Sequence, residues 1–432
     1  MRGREPRRGL FLNSPSEKVI SMPDSLRVAI YSQDSLGLGH LRRNTLIGRC
    51  LLEESEDSNI LLFMDSPTGT FFALPSGMDH MKLPSIRKID AGQWQATVLQ
   101  IDTPALQRWR AELLRGALTH YRPDVVLVDH MPGGAQGELI PALKALKQTH
   151  PNSSVVLGLR DILDRQEIIA RVWQREGAYG ALRLYYDRIL IYGNREIFDT
   201  ARIYRLPVPP RGIRYCGYVV NRCPVQRASS VRQAVRARGK QLVYVSAGGG
   251  ADSALLMHTY VRAIRKLGGR VDFATIMAVG VHAPPDVHRA IESEAVGLPI
   301  DVVSHIADGL STMAAADLVV CMAGYNTLAE VLSLRKKALV VPRAGPSAEQ
   351  KMRAKLFAER GLVDWLDPHD VTPERLAERL VEDLARDDFP AHDTAIDMSG
   401  ATLAARHALE VAKARVGSRD EEKLCSRHLA GA

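Results

Sequence analysis

Short runs of apolar residues alternate with longer amphipathic stretches over the first half of the chain. The first run, 26–32, leads through the loop QDSLGLGH into a helical pattern at 41–54. Continuous apolar runs are typical of strands covered on both faces, whereas apolar residues three and four positions apart are typical of helices. This order predicts a doubly wound α/β unit with a parallel sheet. The predicted strands are 26–32, 59–64, 124–129, 154–159 and 188–192, and the predicted helices are 41–54, 103–121, 138–149 and 166–186.

The same pattern begins again at Gln241, after a proline-rich stretch at 204–230 that has little periodicity. Proline interrupts regular structure, so this stretch is typical of a connection between domains. We therefore predict two Rossmann-like, parallel-sheet domains that face each other across a cleft. The second set of predicted strands is 241–246, 272–279, 301–304, 318–322 and 338–341, with helices ending near 267 and at 326–334, 349–360 and 373–387. The predicted domains are 25–215 and 216–415, with a mobile arm at 1–24 and a loose tail at 416–432.

Composition places the chain among ordinary globular proteins. Its 432 residues are 46% hydrophobic and 25% charged, which excludes collagen-like, coiled-coil and disordered classes. The sequence contains no apolar run of about 18 residues, and no apolar segment follows the basic N-terminus, so we expect neither a membrane-spanning helix nor a secretory signal. The cysteines are odd in number and scattered, which favours a reducing compartment and predicts a cytoplasmic protein.

The net charge of +8 is a mild bias, since 57 basic residues are interleaved with 49 acidic ones. Nucleic-acid binding usually needs a concentrated basic patch, so we expect no nucleic-acid partner. The bias fits a phosphate-bearing small substrate or an anionic membrane surface. Peripheral contact with the inner membrane face through the apolar loop 69–74 is a further hypothesis, which failure to sediment with anionic liposomes at low salt would contradict.

A glycine-rich turn, Gly37-Leu38-Gly39-His40, follows the first predicted strand. A dinucleotide-binding fingerprint requires a third glycine where this chain has Arg42, so the sequence does not match that fingerprint. His40 begins the first helix and faces the predicted cleft. It is a candidate general base at neutral pH, or a polar residue that satisfies the helix N-terminus.

Two aspartates end apolar strands of the first domain. Asp129 follows DVVLV and Asp161 follows VVLGLR. Polar residues at strand ends face the cleft in this architecture. Either aspartate is a candidate to orient His40 or to act as the base itself, and the alternative is that both cap the helices that follow.

A turn that contains Gly324, from Ala323 to Thr327, connects the strand ending at Met322 to a helix that contains Glu330. Backbone N–H groups at a helix start form an anion site, and Glu330 is then a candidate to accept hydrogen bonds from ribose hydroxyls. The alternative needs no ligand, because Thr327-x-x-Glu330 has the spacing of a capping box.

Three further features are candidates for contact with a sugar nucleotide. The turn Gly248-Gly249-Gly250 is either a phosphate or sugar loop or simply a tight turn. Glu349 and Gln350 open a helix, where they read sugar hydroxyls or only complement the helix dipole. The sequence has no clear metal-ligand spacing, so we assign a diphosphate to helix N-termini and to a basic side chain, with Arg343 as the candidate.

Several blocks between 301 and 361 resemble, in order and spacing, the C-terminal half of nucleotide-sugar-dependent glycosyltransferases of family 28, the family of the lipid II-forming N-acetylglucosaminyltransferase. The first domain matches mainly at Gly37–His40, and Gly248–Ala251 is similar to the family's second glycine loop. The chain also resembles a bacterial group of predicted glycosyltransferases. The matching blocks are His305–Ile306, Ala316–Cys321, Ala323–Gly324, Ala329–Glu330, Val341–Pro342, Glu349–Gln350 and Gly361.

The resemblance implies a GT-B fold with an acceptor domain followed by a donor domain. It implies that Ile306 contacts uracil through its backbone, that Glu330 binds the ribose, and that His40 is the preferred base. Glu349 and Gln350 would touch the donor sugar. This chain departs from the family at Met322–Gly324, where relatives have Arg-Ser-Gly, and at Glu349, where they have glutamine, so the sugar and the acceptor stay open.

We therefore predict an inverting, metal-independent hexosyltransferase that moves a sugar from a UDP-sugar co-substrate to a hydroxyl acceptor, lipid-linked or a small metabolite, with no cofactor. The alternatives are a UDP-sugar 2-epimerase of the same fold and a non-catalytic nucleotide-binding protein. Its oligomeric state is open. The predicted catalytic residues are His40, Asp129 and Asp161, and the predicted donor-binding residues are Gly39, Gly248, Gly249, Gly250, Ile306, Gly324, Tyr325, Asn326, Thr327, Glu330, Arg343, Glu349 and Gln350.

Overall fold

A computed structural model provides the fold. The predicted arm at 1–24 lies outside the residues it describes, as do Gly37 of the first glycine turn and Phe72 of the apolar loop. Within the described part of the chain, no helix is both long and apolar enough to cross a membrane. The described residues are 25–33, 38–67, 69–71, 73–90, 93–235, 240–268, 272–391 and 395–429.

The first domain is built on a seven-stranded parallel sheet, with a separate antiparallel hairpin. In spatial order the strands are β3 (Met78–Lys82), β2 (Asn59–Met64), β1 (Arg27–Ser32), β6 (Val125–Asp129), β7 (Ser154–Arg160), β8 (Arg188–Tyr192) and β9 (Ile213–Tyr215), and the hairpin is β4 (Ile86–Asp90) with β5 (Gln93–Ala96). The helices are α1 (Gly39–Glu54), α2 (Thr103–Tyr121), α3 (Ile140–Thr149), α4 (Gln166–Arg175), α5 (Ala178–Tyr185) and α6 (Thr200–Ile203).

The second domain is built on a six-stranded parallel sheet. Its spatial order is β12 (Ile300–Val303), β11 (Phe273–Ala278), β10 (Gln241–Ser246), β13 (Leu318–Cys321), β14 (Ala338–Val340) and β15 (Asp364–Trp365). The remaining helices are α7 (Ala228–Ala234), α8 (Ala254–Leu267), α9 (Pro285–Ala295), α10 (Gly309–Ala315), α11 (Tyr325–Ser333), α12 (Glu349–Ala358), α13 (Pro373–Ala385) and α14 (Gly400–Leu429).

The strand order of each sheet reverses once, and each reversal forms a crevice beside candidate site residues. In the first sheet the order reverses between β1 and β6, and in the second between β10 and β13. Ligands of doubly wound sheets bind at such reversal points, at the carboxyl ends of the strands. The central strands are buried on both faces, since every residue of β6 and of β13 is buried, which is why their sequences are continuously apolar.

The predicted α/β class and parallel sheets are confirmed, but several elements differ from expectation. The helix predicted over 166–186 is two helices, because Gly177 between them adopts a left-handed conformation with φ of 68°. Gly177 has no Cβ to oppose that angle. The edge strand β3, the hairpin β4–β5, α9 and α14 were not predicted.

The chain crosses between the domains twice, and the two crossings lie side by side. After β9 it passes through Gly217 and Tyr218, and it returns through Asp397 and Gly400 into α14. The Tyr218 N–H donates to the Asp397 carbonyl at 2.8 Å, and the Gly400 N–H donates to the Tyr218 carbonyl at 3.1 Å.

The last helix packs against α1 and strands β6 to β8 of the first sheet. Its first part therefore belongs with the first domain, which differs from the second-domain bounds of 216–415. Its backbone is helical through Leu429, which differs from the loose tail expected at 416–432. Burial of apolar residues between Ala401 and Ala412 against the first domain explains the position of the first part of α14.

The carboxylates of Asp383 and Asp364 lie close together on the second domain, and they should make the free energy of unfolding depend on pH. Asp383 on α13 is 1% exposed, and burial together with the charge of Asp364 raises its pKa to about 7 from 3.8. The folded state keeps a proton that the unfolded chain releases, so stability falls as pH rises between these values. Relative to the wild type, Asp383→Asn should gain about 1–3 kcal/mol between pH 4 and pH 8, measured by urea unfolding. Asp388→Asn, an exposed neighbour of Arg386, is the control, and parallel pH profiles for wild type and Asp383→Asn would contradict the assignment.

Candidate functional site

His40 and Asp129 form a hydrogen-bonded pair at the crevice of the first sheet. His40 lies in the first turn of α1, and Asp129 ends β6, the neighbour of β1. The His40 Nδ1 is 2.6 Å from Asp129 Oδ2; Asp129 is fully buried, whereas the His40 side chain is 18% exposed. Arg43 Nη2, which can only donate, lies 2.8 Å from the same nitrogen, whereas a carboxylate can only accept. We assign the hydrogen to Nδ1 because the contact with the Asp129 carboxylate is the shorter of the two. This tautomer places the lone pair on Nε2, where the ring can accept a proton.

Two further residues of α1 hold the Asp129 carboxylate. Arg43 donates to both of its oxygens at 2.9 and 2.8 Å, and Asn44 Nδ2 donates at 3.1 Å. Burial alone would raise the pKa of Asp129, but the charge of Arg43 and the hydrogen bonds from His40 and Arg43 hold that pKa well below its usual value. The carboxylate therefore stays ionised and fixes the orientation of the imidazole.

Asp161 does not contact His40, which corrects the expectation that it is an alternative partner or base. Its fully buried carboxylate binds Arg353 of α12 at 2.8 Å and accepts a hydrogen bond from Tyr218 at 3.1 Å. Asp161 follows β7 in the first domain, whereas Arg353 belongs to the second. The pair is thus a buried ionic contact between the domains.

The Gly324–Thr327 turn begins α11 without a side-chain cap. Gly324 is the N-cap, and α11 starts at Tyr325. The capping-box interpretation is therefore wrong, because it requires Thr327 to be the N-cap. Glu330 lies in the second turn, 6% exposed, and its carboxylate pairs with Arg42 of α1. Burial raises the pKa of Glu330, and the charge of Arg42 opposes that rise.

The loop 247–252 follows β10 and lies beside the start of α11. A Cβ on the exposed Gly248 would stand 3.9 Å from Thr327 Oγ1. At Gly250 a Cβ would stand 2.6 Å from the Val279 carbonyl oxygen, so glycine is required there by backbone packing against the end of β11. The Gly249 carbonyl accepts from the His282 N–H at 2.8 Å. Packing thus accounts for Gly250, while Gly248 faces the turn that precedes Glu330.

Asn326 and Tyr325 connect α11 to the first domain. Asn326 Nδ2 donates to the Gly39 carbonyl at 3.0 Å, one residue before His40. The Tyr325 ring lies between two guanidinium groups, with the Cζ of Arg43 at 5.4 Å and that of Arg353 at 5.7 Å from its centroid. Tyr325 is 4% exposed, so its side chain belongs to the domain interface, and the donor contact predicted for this residue concerns its backbone N–H at the start of α11.

The Glu349 side chain is also held across the interface. It is 5% exposed, and its Oε1 binds Arg160 at 2.8 Å and Arg353 at 2.9 Å. Burial would raise the pKa of Glu349, but the two arginines lower it overall. Gln350 accepts a hydrogen bond from the Arg343 backbone N–H at 3.2 Å.

Arg343 and Ile306 lie on loops at the same edge of the second sheet. The Arg343 Nη1 is 3.4 Å from Asp252, at the end of the glycine loop. Ile306 follows β12 and packs, partly buried, against the hydrophobic core. Within the described residues, no three His, Cys, Asp or Glu side chains lie close enough together to hold a metal ion.

Comparison with known proteins identifies the second domain. Residues 244–409 match the glycosyltransferase family 28 C-terminal domain. This part of the chain is similar to the C-terminal domain of family 28.

Curated relatives match over part of their length. The chain is 32% identical over 186 residues to the UDP-N-acetylglucosamine–N-acetylmuramyl-(pentapeptide) pyrophosphoryl-undecaprenol N-acetylglucosamine transferase of Aromatoleum aromaticum, covering 41% of this chain and 50% of that protein. It is 31% identical over 146 residues to the enzyme of the same name from Anaeromyxobacter sp., covering 33% of this chain and 37% of that protein. The chain thus spans half or less of the length of these relatives.

Solved structures are similar over nearly the whole chain. The Acinetobacter baumannii MurG structure has a TM-score of 0.55 at 14% identity and covers 91% of this chain and 99% of that one. The glycotransferase of kitacinnamycin has a TM-score of 0.57 at 17% identity, covering 92% and 99%. A putative UDP-N-acetylglucosamine 2-epimerase from Listeria monocytogenes has a TM-score of 0.59 at 13% identity, covering 92% and 97%. At these identities the likeness concerns the fold, and the GT-B fold and the family 28 resemblance are confirmed.

Sequence reasoning missed the arginines that join the second domain to the first domain. Arg43 lies among the buried positions of α1, where an arginine requires a carboxylate partner. Arg353 lies one helical turn after Glu349, a spacing at which opposite charges meet. These patterns signal buried ion pairs, but the partner of Arg353 across the interface depends on how the domains pack.

Proposed function

We propose that this protein is a glycosyltransferase that moves a hexose-type sugar from a UDP-sugar to a hydroxyl acceptor, with inversion and without a metal ion. One observation carries the proposal. The Gly39 carbonyl accepts from Asn326 at 3.0 Å, so the proposed base His40 and the anion-binding start of α11 lie next to each other across the cleft. A donor held at α11 would then present its anomeric carbon near His40.

In the proposed step, the acceptor hydroxyl oxygen attacks the anomeric carbon as the bond from that carbon to the diphosphate oxygen breaks. The electron pair leaves with UDP, and the hydroxyl proton moves to His40 Nε2. Ionised Asp129 at 2.6 Å stabilises the resulting imidazolium, which is how a carboxylate assists a histidine base. Attack from the face opposite the leaving group inverts the anomeric centre.

The second domain offers donors for the charge that develops on UDP. The N–H groups at the start of α11 and the exposed backbone at Gly248 lie side by side, and helix N-termini stabilise anions. Glu330 is the proposed ribose acceptor, and Ile306 the proposed uracil contact. The curated relatives are named for a UDP-sugar and a pyrophosphoryl-undecaprenol, which supports a uridine nucleotide as donor and a lipid-linked hydroxyl among the candidate acceptors.

Calorimetry with UDP, ADP, GDP and CDP tests the donor assignment. We expect UDP to bind most tightly, and Glu330→Ala to weaken UDP about tenfold, because hydrogen bonds to a charged group are lost. Glu112→Ala, which removes an exposed carboxylate of α2, is the matched control. UDP binding no better than the other nucleotides would exclude the proposal.

Two alternatives are outcomes of activity measurements on the same protein. Conversion of UDP-N-acetylglucosamine to its 2-epimer without an acceptor would assign an epimerase. UDP binding by the wild type, with no transfer by the wild type to any acceptor tested and no effect of His40→Ala on UDP affinity, would assign a non-catalytic nucleotide-binding protein.

A further inference from the structure

Arg42 and Glu330 form an ion pair across the cleft. Arg42 is two residues after the proposed base His40, and its Nη2 donates to Glu330 Oε1. The Arg42 side chain is 38% exposed, whereas that of Glu330 is 9% exposed. The carboxylate proposed to bind the ribose is therefore occupied by a side chain of the opposite domain.

The described part of the cleft has little surplus positive charge for a diphosphate. Five arginines at the cleft each face a carboxylate within 4 Å. A diphosphate brings at least two negative charges, which helix N-termini offset only in part. The pairs are Arg42 with Glu330, Arg43 with Asp129, Arg160 with Glu349, Arg343 with Asp252 and Arg353 with Asp161.

The Arg42 side chain is more exposed than those of the other arginines that belong to the first domain or pair with it. Arg43 and Arg353 have side chains 1% and 0% exposed, and Arg160 is 17% exposed, so these three are enclosed by protein. Arg42 lies at the open side of the cleft and can turn without leaving a buried cavity.

We propose that the donor nucleotide displaces Arg42 from Glu330 and that the released guanidinium pairs with the diphosphate. This inference rests on the proposed function and adds a residue to it. When the Glu330 carboxylate accepts hydrogen bonds from both ribose hydroxyls, both of its oxygens are occupied and its ion pair with Arg42 breaks. The guanidinium stays protonated and becomes a cation beside the leaving group, supplied by the domain that also carries His40. Arg42 thus acts on the donor only when the two domains are closed.

Arg42→Ala should change the affinities for uridine and for UDP in opposite directions. Uridine has the ribose but no phosphate, so removal of its competitor should make it bind about threefold more tightly. UDP loses a charge-assisted contact and should bind about tenfold more weakly. Both affinities are measured by calorimetry. Arg49→Ala, two turns further along α1, makes the same charge change and should alter neither.

Glu330→Gln provides a second measurement that does not depend on the nucleotide. Loss of the carboxylate charge releases Arg42, so inorganic pyrophosphate should bind about tenfold more tightly than to the wild type. The double variant Arg42→Ala with Glu330→Gln should lose this gain. If Arg42→Ala shifts uridine and UDP in the same direction, or leaves either unchanged, the exchange is wrong. A wild type that does not bind UDP would overturn the proposed function instead, and the pyrophosphate comparison would still decide whether Arg42 is released.

Discussion

Replacing His40 with alanine should slow sugar transfer about 100- to 10,000-fold, the range for loss of a general base. UDP affinity should change less than about twofold, because the imidazole acts on the attacking hydroxyl and not on the nucleotide. UDP release from a UDP-sugar, with water as the acceptor, measures the rate without knowledge of the natural acceptor. The wild-type geometry that motivates the expectation is the 2.6 Å contact from His40 to buried Asp129.

The matched control is His80→Ala on β3, a partly exposed histidine of the same domain that stands 4.0 Å from Asp79. It should leave the rate unchanged. Asp129→Asn should also slow the reaction, because an amide at this position can donate to Nδ1 and favour the wrong tautomer. Full activity in His40→Ala would move the base to another residue.

Asp161→Ala should lower the free energy of unfolding by about 3–5 kcal/mol, since it leaves the fully buried Arg353 without its principal partner. The carboxylate also accepts from Tyr218, so two buried donors lose their acceptor. Urea unfolding measures the loss. Glu112→Ala removes the acidic partner of an exposed arginine on α2 and should shift the midpoint little.

The double variant Asp161→Ala with Arg353→Met separates a lost ion pair from a lost packing contact. Replacing the unpaired guanidinium by an apolar side chain should recover part of the stability. A loss for Asp161→Ala no larger than that for Glu112→Ala would show that the contact between the domains is not stabilising.

The parallel strands could be predicted because burial on both faces leaves a continuous apolar run. Strands 59–64, 188–192 and 241–246 were predicted with the bounds that the structure has. The edge strand β3, with the sequence MDHMK, lacks that signal because an edge strand is only partly covered. The position of α14 could not be predicted, since helical periodicity does not say which domain covers the apolar face.

The candidate site divides in the same way. The sequence could place His40 and Asp129 at the same edge of one parallel sheet, because His40 follows the first strand and Asp129 ends another strand of that sheet. The contacts of Glu330 and Glu349 could not, since their partners Arg42 and Arg160 belong to the other domain. Pairing between domains depends on tertiary geometry and not on spacing along the chain.

The paired crossings at Gly217–Tyr218 and Asp397–Gly400 have a consequence for how a substrate enters. Two adjacent, hydrogen-bonded segments let the two domains rotate about an axis that runs through both segments, as a hinge does. The same pair of segments resists a twist of one domain relative to the other. A Cβ on Gly400 would stand 2.5 Å from the Tyr218 carbonyl carbon, so the two crossings are also tightly packed against each other. When the cleft opens, the separation of the domains should therefore be smallest at the crossings and should increase with distance from them. A chain cut before Gly400 would lose one of the two crossings together with α14, the helix that covers α1.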